Sequence, residues 1–254
     1  MKFTLLGTGT STGIPMPTCT CTTCTSPDSR DKRLRPSLLV ESNTTTIVID
    51  TSSDFRQQML THQVMKLDSV VYTHHHFDHI GGFDDIRPYN FTSNSIMPIY
   101  ALDRTAQALR TTFPYAFEKP EQLGGGVPEV TLNVIDAEPF TIQDIQFIPI
   151  PLYHGILRVN GYRIGNFAYC TDTNNIPEES YQLLEGVEVL ILDALRYHEH
   201  PTHFTVEQAI EAATRIGAKQ TYFTHIAHQI LHHELDTRLP QGINVGYDGL
   251  TIEL

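Results

Sequence analysis

Thr73-His74-His75-His76-Phe77-Asp78-His79, with Gly81-Gly82 close behind, places His74, His76, Asp78 and His79 in the register H-x-H-x-D-H. Such a run is a ligand set for two adjacent metal ions. In an extended segment alternate residues project the same way, so His74 and His76 can close on one ion while Asp78 and His79 turn toward a second. The preceding Leu67-Asp68-Ser69-Val70-Val71-Tyr72 reads as a buried strand, which puts the ligands at a strand's C-terminal end. A surface histidine tract fits less well, because an Asp interrupts the run at a fixed offset and a strand leads into it.

This pattern after an apolar strand resembles the signature of the metallo-β-lactamase-fold hydrolases. The resemblance implies an α/β fold, an αββα sandwich of two mixed sheets flanked by helices, with residues 1–254 as a single hydrolase domain. It also implies further ligands from later strand ends. These are His154 after Pro149-Ile150-Pro151-Leu152-Tyr153, Asp172 ending Phe167-Ala168-Tyr169-Cys170-Thr171, and His225 after Thr221-Tyr222-Phe223-Thr224. By resemblance, His74, His76 and His154 hold one ion, Asp78, His79 and His225 the other, and Asp172 both. Asp50 is expected to orient neighbouring ligands by hydrogen bonding. His62, His75, His232 and His233 fall outside the register and are expected at the surface.

The second chemical signal is Cys19-Thr20-Cys21-Thr22-Thr23-Cys24. Three thiols spaced C-x-C-x-x-C, in a chain that otherwise reads as intracellular, favour a metal over disulfides. A tetrahedral zinc needs a fourth ligand. Cys170, the remaining cysteine, lies inside an apolar strand and is better explained as a small buried hydrophobe. The branch containing the cyclic phosphodiesterase of phosphonate breakdown resembles the chain more closely. There such a loop is completed by a His just after the last active-site ligand, a position filled here by His228. A structural zinc on Cys19, Cys21, Cys24 and His228 would tie the N-terminal loop to the residues directly beyond His225.

Smaller pieces extend the resemblance over most of the chain. They are the Gly-rich opening Gly7-Thr8-Gly9-Thr10-Ser11-Thr12-Gly13, the strand end at Asp50 with Ser52 or Ser53 in place of a usual Gly, and Asn244 to Leu250, read as a closing hairpin. Arg87 is expected to pair with a nearby carboxylate. Strands are expected near 2–6, 37–41, 46–50, 68–73, 97–101, 130–135, 145–151, 161–165, 167–171, 187–193, 219–224 and 243–253. Helices are expected near 53–61, 103–112, 178–185, 205–216 and 229–236, with Asp103 as an N-cap and Thr205 with Gln208 as a capping box.

The formal net charge of −12 argues against a broad nucleic-acid-coating surface. It does not conflict with a phosphate substrate, since two divalent ions make a pocket positive. No stretch has the length of a transmembrane helix, and Met1 to Gly7 reads as a strand and turn rather than a signal peptide, so the expected location is cytoplasmic and off the membrane. A homodimer is expected by analogy with relatives.

The implied chemistry is hydrolysis of a small phosphodiester, a class that includes cyclic diesters such as a phosphoribosyl cyclic phosphate. Two ions about 3.5–4 Å apart, Zn or Mn and alternatively Fe, share a bridging hydroxide that attacks phosphorus. The departing alkoxide needs a proton, and a positioned His is the usual donor. In the resembling phosphodiesterases this is a His just before a helix, here His203, which is counted with Asp78 as catalytic. His198 and His200 are read as solvated loop or substrate-recognition groups. Competing readings are a transfer-RNA 3′-end endonuclease, disfavoured because no long basic insertion is present, a thioester or lactam hydrolase, which would not need His203, and an inactive metal-stabilised binding protein. A flavo-diiron role conflicts with His76 where a Glu is expected.

Overall fold

The structure, a computed structural model, describes residues 1–118 and 126–254. Fourteen strands among these residues form two seven-stranded mixed sheets. The first contains β1 (Lys2–Gly7), β2 (Ser37–Glu41), β3 (Thr46–Ile49), β4 (Ser69–Val71), β5 (Met97–Leu102), β6 (Val130–Ile135) and β14 (Thr251–Glu253), ordered β14-β1-β2-β3-β4-β5-β6. The second contains β7 (Phe140–Ile142), β8 (Ile145–His154), β9 (Leu157–Ile164), β10 (Phe167–Cys170), β11 (Val189–Asp193), β12 (Gln220–Thr224) and β13 (Ile243–Val245), ordered β13-β12-β11-β10-β9-β8-β7.

Both faces of each sheet are covered, which explains why strands such as Ser37–Glu41 read as nearly continuous apolar runs. Leu38 and Val40 point into the core between the sheets, packed with Phe147, Tyr162, Phe167 and Ile191, while Leu39 points outward. Phe3 and Phe167 stack across that core at 3.9 Å between ring centroids. On the outside, helices Phe55–Thr61 and Asp103–Thr112 cover the first sheet, and helices Glu178–Leu184 and Val206–Ile216 the second. The result is the α/β sandwich of two mixed sheets flanked by helices that the family resemblance implied.

β3, β4, β5 and β6 run parallel, as do β10, β11, β12 and β13. β8 and β10 are both antiparallel to β9 and so share a direction. The C-terminal ends of these strands therefore gather along one edge, where parallel sheets place ligand sites.

Several local expectations need correction. Asp103 is the first helical residue rather than the N-cap, which is Leu102 with no capping side chain; the Asp103 carboxylate instead accepts from Gln107 Nε2 at 2.7 Å. The strand read as 161–165 begins at Leu157, because β9 pairs with β8 all the way to the turn. Helix Arg87–Ser93 and strand β7 were not expected, although Pro88 at the helix start and a left-handed Asn94 at its end are recognisable stop and start signals. The thirteenth and fourteenth strands are not a hairpin. β13 pairs with β12 in the second sheet and β14 with β1 in the first, so residues 246–250 cross between sheets. A hairpin requires the two arms to pair with each other. Here Asp248 instead accepts from Thr8 N, Thr8 Oγ1 and Leu34 N at 2.8, 2.7 and 2.6 Å, tying the crossover to the opening loops. The Thr205 and Gln208 capping box forms as expected, Arg87 pairs with Asp84 at 3.0 Å, and Cys170 is buried. On the far side of the sandwich from the shared strand ends, β14 lies on β1 with Leu254 N 2.9 Å from Met1 O.

Candidate metal centre

Three residues that end apolar strands on the shared edge, Asp50, Asp172 and His225, have left-handed backbone at φ of 66°, 54° and 59°. Non-glycine residues adopt this conformation uncommonly. Each turn bends the chain abruptly, so the side chain at the strand end faces across the gap between the sheets.

Seven side chains converge there in two overlapping groups, His74, His76, His154 and Asp172, and Asp78, His79, Asp172 and His225. Within each, the potential ligand atoms lie within 4.8 Å of one another. Asp172 belongs to both, with Oδ1 3.2 Å from His79 Nε2 and Oδ2 3.2 Å from His225 Nε2 and 3.8 Å from His74 Nε2. His74 Nε2 lies 3.0 Å from His76 Nδ1. Only His76 of the seven is exposed, and it marks the open side of the cleft.

The outward nitrogens are fixed by acceptors. His79 Nδ1 donates to Asp50 Oδ2 at 2.7 Å, and His154 Nδ1 donates to the Thr202 carbonyl at 2.7 Å. Asp50 is fully buried and also accepts from Thr73 N and Oγ1 at 2.8 and 2.7 Å, giving it the orienting role expected of it. With Nδ1 committed, Nε2 of each ring carries the lone pair that faces the cleft.

This donor set fits cations. His79 Nε2 and both ring nitrogens of His225 are buried without a hydrogen-bond partner, although carboxylate oxygens lie close by. Burial opposes charge on His79, yet Asp172, Asp78 and Asp50 around it hold its pKa well above the ordinary value. His225 behaves likewise, pushed up to about 9 against burial by Asp172 and Asp78. Buried carboxylates concentrated at this density require positive charge among them, which divalent ions would supply in place of protons. His154, farther from the carboxylates, is pushed down to about 4 by burial.

His203 flanks the cleft. Its Nδ1 donates to Asp193 Oδ2 at 2.6 Å, its ring stacks on that of His225 with centroids 4.4 Å apart, and it meets the His154 ring edge-on at 4.4 Å. Asp193 was not singled out as a site residue. The available signal was its place at the end of the apolar strand Val189–Asp193, close in kind to that of Asp172, which lies two residues beyond β10. His200 lies 5.1 Å from the His203 ring and is half-buried, while His198 is exposed. His232, expected at the surface, is buried because its Nδ1 accepts from the buried Arg33 Nη2 at 3.1 Å and its backbone N–H donates to Asp31 Oδ1 at 2.8 Å.

The thiols form a separate group. Cys19, Cys21 and Cys24 Sγ lie 3.2, 3.4 and 3.8 Å from His228 Nδ1. A tetrahedron with Zn–S of about 2.3 Å and Zn–N of about 2.0–2.1 Å has S–N edges of roughly 3.6 Å, so the four atoms are spaced for zinc. The Cys24 backbone N–H helps hold Cys21 down to about 6, while burial pushes Cys24 up to about 11. Between this group and the cleft, Ile226 N donates to Thr8 O at 2.9 Å and Thr10 N to Ile226 O at 3.0 Å, joining the opening loop to the segment beyond His225.

A family model described as the beta-lactamase superfamily domain matches residues 45–226, a span that holds the whole seven-residue cleft. A crystal structure of a diphosphatase from the PhnP family is 41% identical, covers 100% of this chain and 97% of that one, and superposes with a TM-score of 0.93. The Zn(2+)-bound PqqB from Methylobacterium extorquens is 16% identical with full mutual coverage and a TM-score of 0.78. The short form of human tRNase Z is 16% identical over 100% of this chain and 99% of that one, at 0.70. At these two identities the likeness is one of fold. The octanoyltransferase of Porphyromonas gingivalis is 39% identical over 254 residues, taking in 98% of this chain and 51% of that protein. The chain thus spans about half the length of that curated relative.

Proposed function

The chain belongs to the beta-lactamase superfamily, in its PhnP-like branch, and is a metal-dependent hydrolase; from that premise we propose that it cleaves a small phosphodiester at a dinuclear centre. His74, His76 and His154 would hold one divalent ion, Asp78, His79 and His225 the other, with Asp172 shared, and Cys19, Cys21, Cys24 and His228 would hold a structural zinc. When bound, the two active-site ions supply Lewis-acid polarisation of the phosphoryl oxygens and activation of water.

The observation that carries the phosphodiester reading is His203. Asp193 accepts from its Nδ1, so in the doubly protonated form of the ring Nε2–H is the proton free to pass to the leaving oxygen. An alkoxide leaving group needs that proton, whereas the thiolate released from a thioester does not. Asp193, which also accepts from Thr173 N at 2.8 Å, holds the imidazole in one orientation. The rings of His154 and His225 confine His203 on two sides and limit the water around it. Asp50 and the Thr202 carbonyl hold two imidazoles with Nε2 toward the cleft, so the nitrogens that would coordinate an ion are already aimed.

The acyl transfer named for the half-matched relative finds less support in this cleft. Cys170, the cysteine nearest Asp172 in sequence, is fully buried and pushed up to about 12 by burial, which disfavours it as an acyl-carrying thiolate.

The test is hydrolysis of bis-p-nitrophenyl phosphate and of 2′,3′-cyclic nucleotides by metal-loaded wild type and His203→Ala. The expected outcome is a loss of about 10²–10⁴-fold in the variant for the alkyl leaving group, a smaller loss for p-nitrophenolate, and unchanged metal content. Equal rates for wild type and variant on the alkyl diester would remove His203 from the reaction.

A further inference from the structure

His74 and His76 follow a strand of the first sheet, yet the chain just ahead of them is held by the second. β4 has three residues. Among the described residues, the main-chain bonds that keep this stretch in its own sheet end with Asp50 N to Val71 O at 2.9 Å and Tyr72 N to Tyr100 O at 2.8 Å. The next two carbonyls accept from β9 across the sandwich. Tyr72 O takes the Tyr162 hydroxyl at 2.7 Å, and Thr73 O takes Asn160 N at 3.2 Å. Tyr72 and Thr73 are fully buried, so their carbonyls need protein donors, and a single strand of the opposite sheet supplies both.

That strand belongs to the hairpin that also delivers His154, since β9 pairs with β8 from Arg163 opposite Ile148 to Leu157 opposite His154. The His154 ring lies 5.5 Å from that of His74 and 5.0 Å from that of His76 between centroids. These three histidines come from two sheets, and the bonds from Tyr162 and Asn160 place them in one frame. Tyr162 is suited to this because its ring cannot wander. It is fully buried and meets Phe147 and Phe140 edge-on, with centroids 5.9 and 6.3 Å away. His79, in the other group of ligands, has its own support in Asp50 and does not depend on β9 in the same way.

We infer that Tyr162 is a positioning residue for the cation site of His74, His76, His154 and Asp172, its hydroxyl setting the spacing between histidines of the two sheets. This role rests on the two-ion reading of the cleft and adds to it a side chain that belongs to neither ligand group. Removing the hydroxyl keeps the aromatic packing and takes this donor from Tyr72 O, so the segment ahead of His74 is released from the hairpin that carries His154. Partners that hold metal ligands in place from behind are worth about 10–100-fold in metal affinity, and a bond that acts through the backbone belongs at the lower end of that range.

The experiment withdraws zinc stepwise from the metal-loaded protein with a competing chelator and compares wild type, Tyr162→Phe and Tyr89→Phe. Tyr89 is the matched control, because its hydroxyl also donates to a backbone carbonyl, Val64 O at 2.8 Å, ahead of β4 at the end away from His74. Tyr162→Phe is expected to release one cleft ion with about tenfold weaker affinity and to keep the thiolate ion as wild type does. Tyr89→Phe is expected to hold every ion as wild type does, even where its thermal midpoint falls as far. Wild-type affinity in Tyr162→Phe would reduce the residue to joining the sheets, and equal weakening in Tyr89→Phe would assign the effect to general stability; either overturns the positioning role. Wild type with fewer than two cleft ions overturns the two-ion reading together with this one. Hydrolysis of bis-p-nitrophenyl phosphate by the same wild-type preparation reads the reaction separately, so two bound ions without turnover remove the phosphodiesterase and leave Tyr162 in place.

Discussion

The cleft and the thiolate group each bring together residues that could hold a cation, and both end on the same stretch of chain, since His225 belongs to one and His228 to the other. They differ in how the rest is gathered. The thiolate group draws three of its four members from six consecutive residues, and its backbone supports, Met16 N on Cys24 at 3.3 Å and Cys24 N on Cys21 at 3.5 Å, are equally local. The cleft draws its members from both sheets, at strand ends far apart in sequence, and needs Asp50, Thr73 and the Thr202 carbonyl to aim them. Four ligands without a vacancy suit a structural role, whereas histidines and carboxylates with one exposed member leave room for substrate. The difference teaches that the local group can serve as a foundation for the dispersed one, because it anchors the residues that follow His225.

The sharpest way to break this comparison is at the residue shared by both cleft groups. Asp172→Asn keeps the volume and removes the charge. It is expected to cut hydrolysis by about 10³-fold or more and to lower cleft metal while leaving one equivalent on the thiolates, as read by elemental analysis. Loss of all metal together would show that the two groups are not independent. Next in size is Asp193→Asn, which leaves every metal-facing residue in place. It should cost about 10–100-fold in kcat with little change in KM or metal content. The loss should be greater for alkyl than for p-nitrophenyl leaving groups, and a uniform loss would reduce Asp193 to a packing role. Smallest in turnover is Cys21→Ser. One metal equivalent should be lost and the thermal midpoint should fall by several degrees, because metal binding is coupled to folding. Activity should fall only about tenfold, through displacement of His225. Unchanged metal content would dissolve the thiolate site, and unchanged activity would separate it from the cleft.

The sequence reading reached the two regions unequally. His74 to His79 and Cys19 to Cys24 are local patterns and were legible as such. His154, Asp172, His225 and His228 depended on resemblance, since nothing in an isolated strand end states which partner it will meet across two sheets. Asp193 stayed unread because a carboxylate that only holds another side chain has no spacing of its own. The left-handed turns at Asp50, Asp172 and His225 were also invisible, for no glycine marks them. The crossover at Gly246 to Leu250 was misread as a hairpin because its turn-forming composition is the same in both cases, and only the donors of Thr8 and Leu34 decide between them.

The pairing of β1 with β14 has a consequence for how this unit can be joined to others. Both ends of the chain emerge side by side, near Lys2 and Glu253, and β1 runs from there toward the catalytic edge, so the ends lie at the opposite pole from the cleft. A partner module spliced onto either terminus would therefore hang from the back of the sandwich and leave the substrate entrance open.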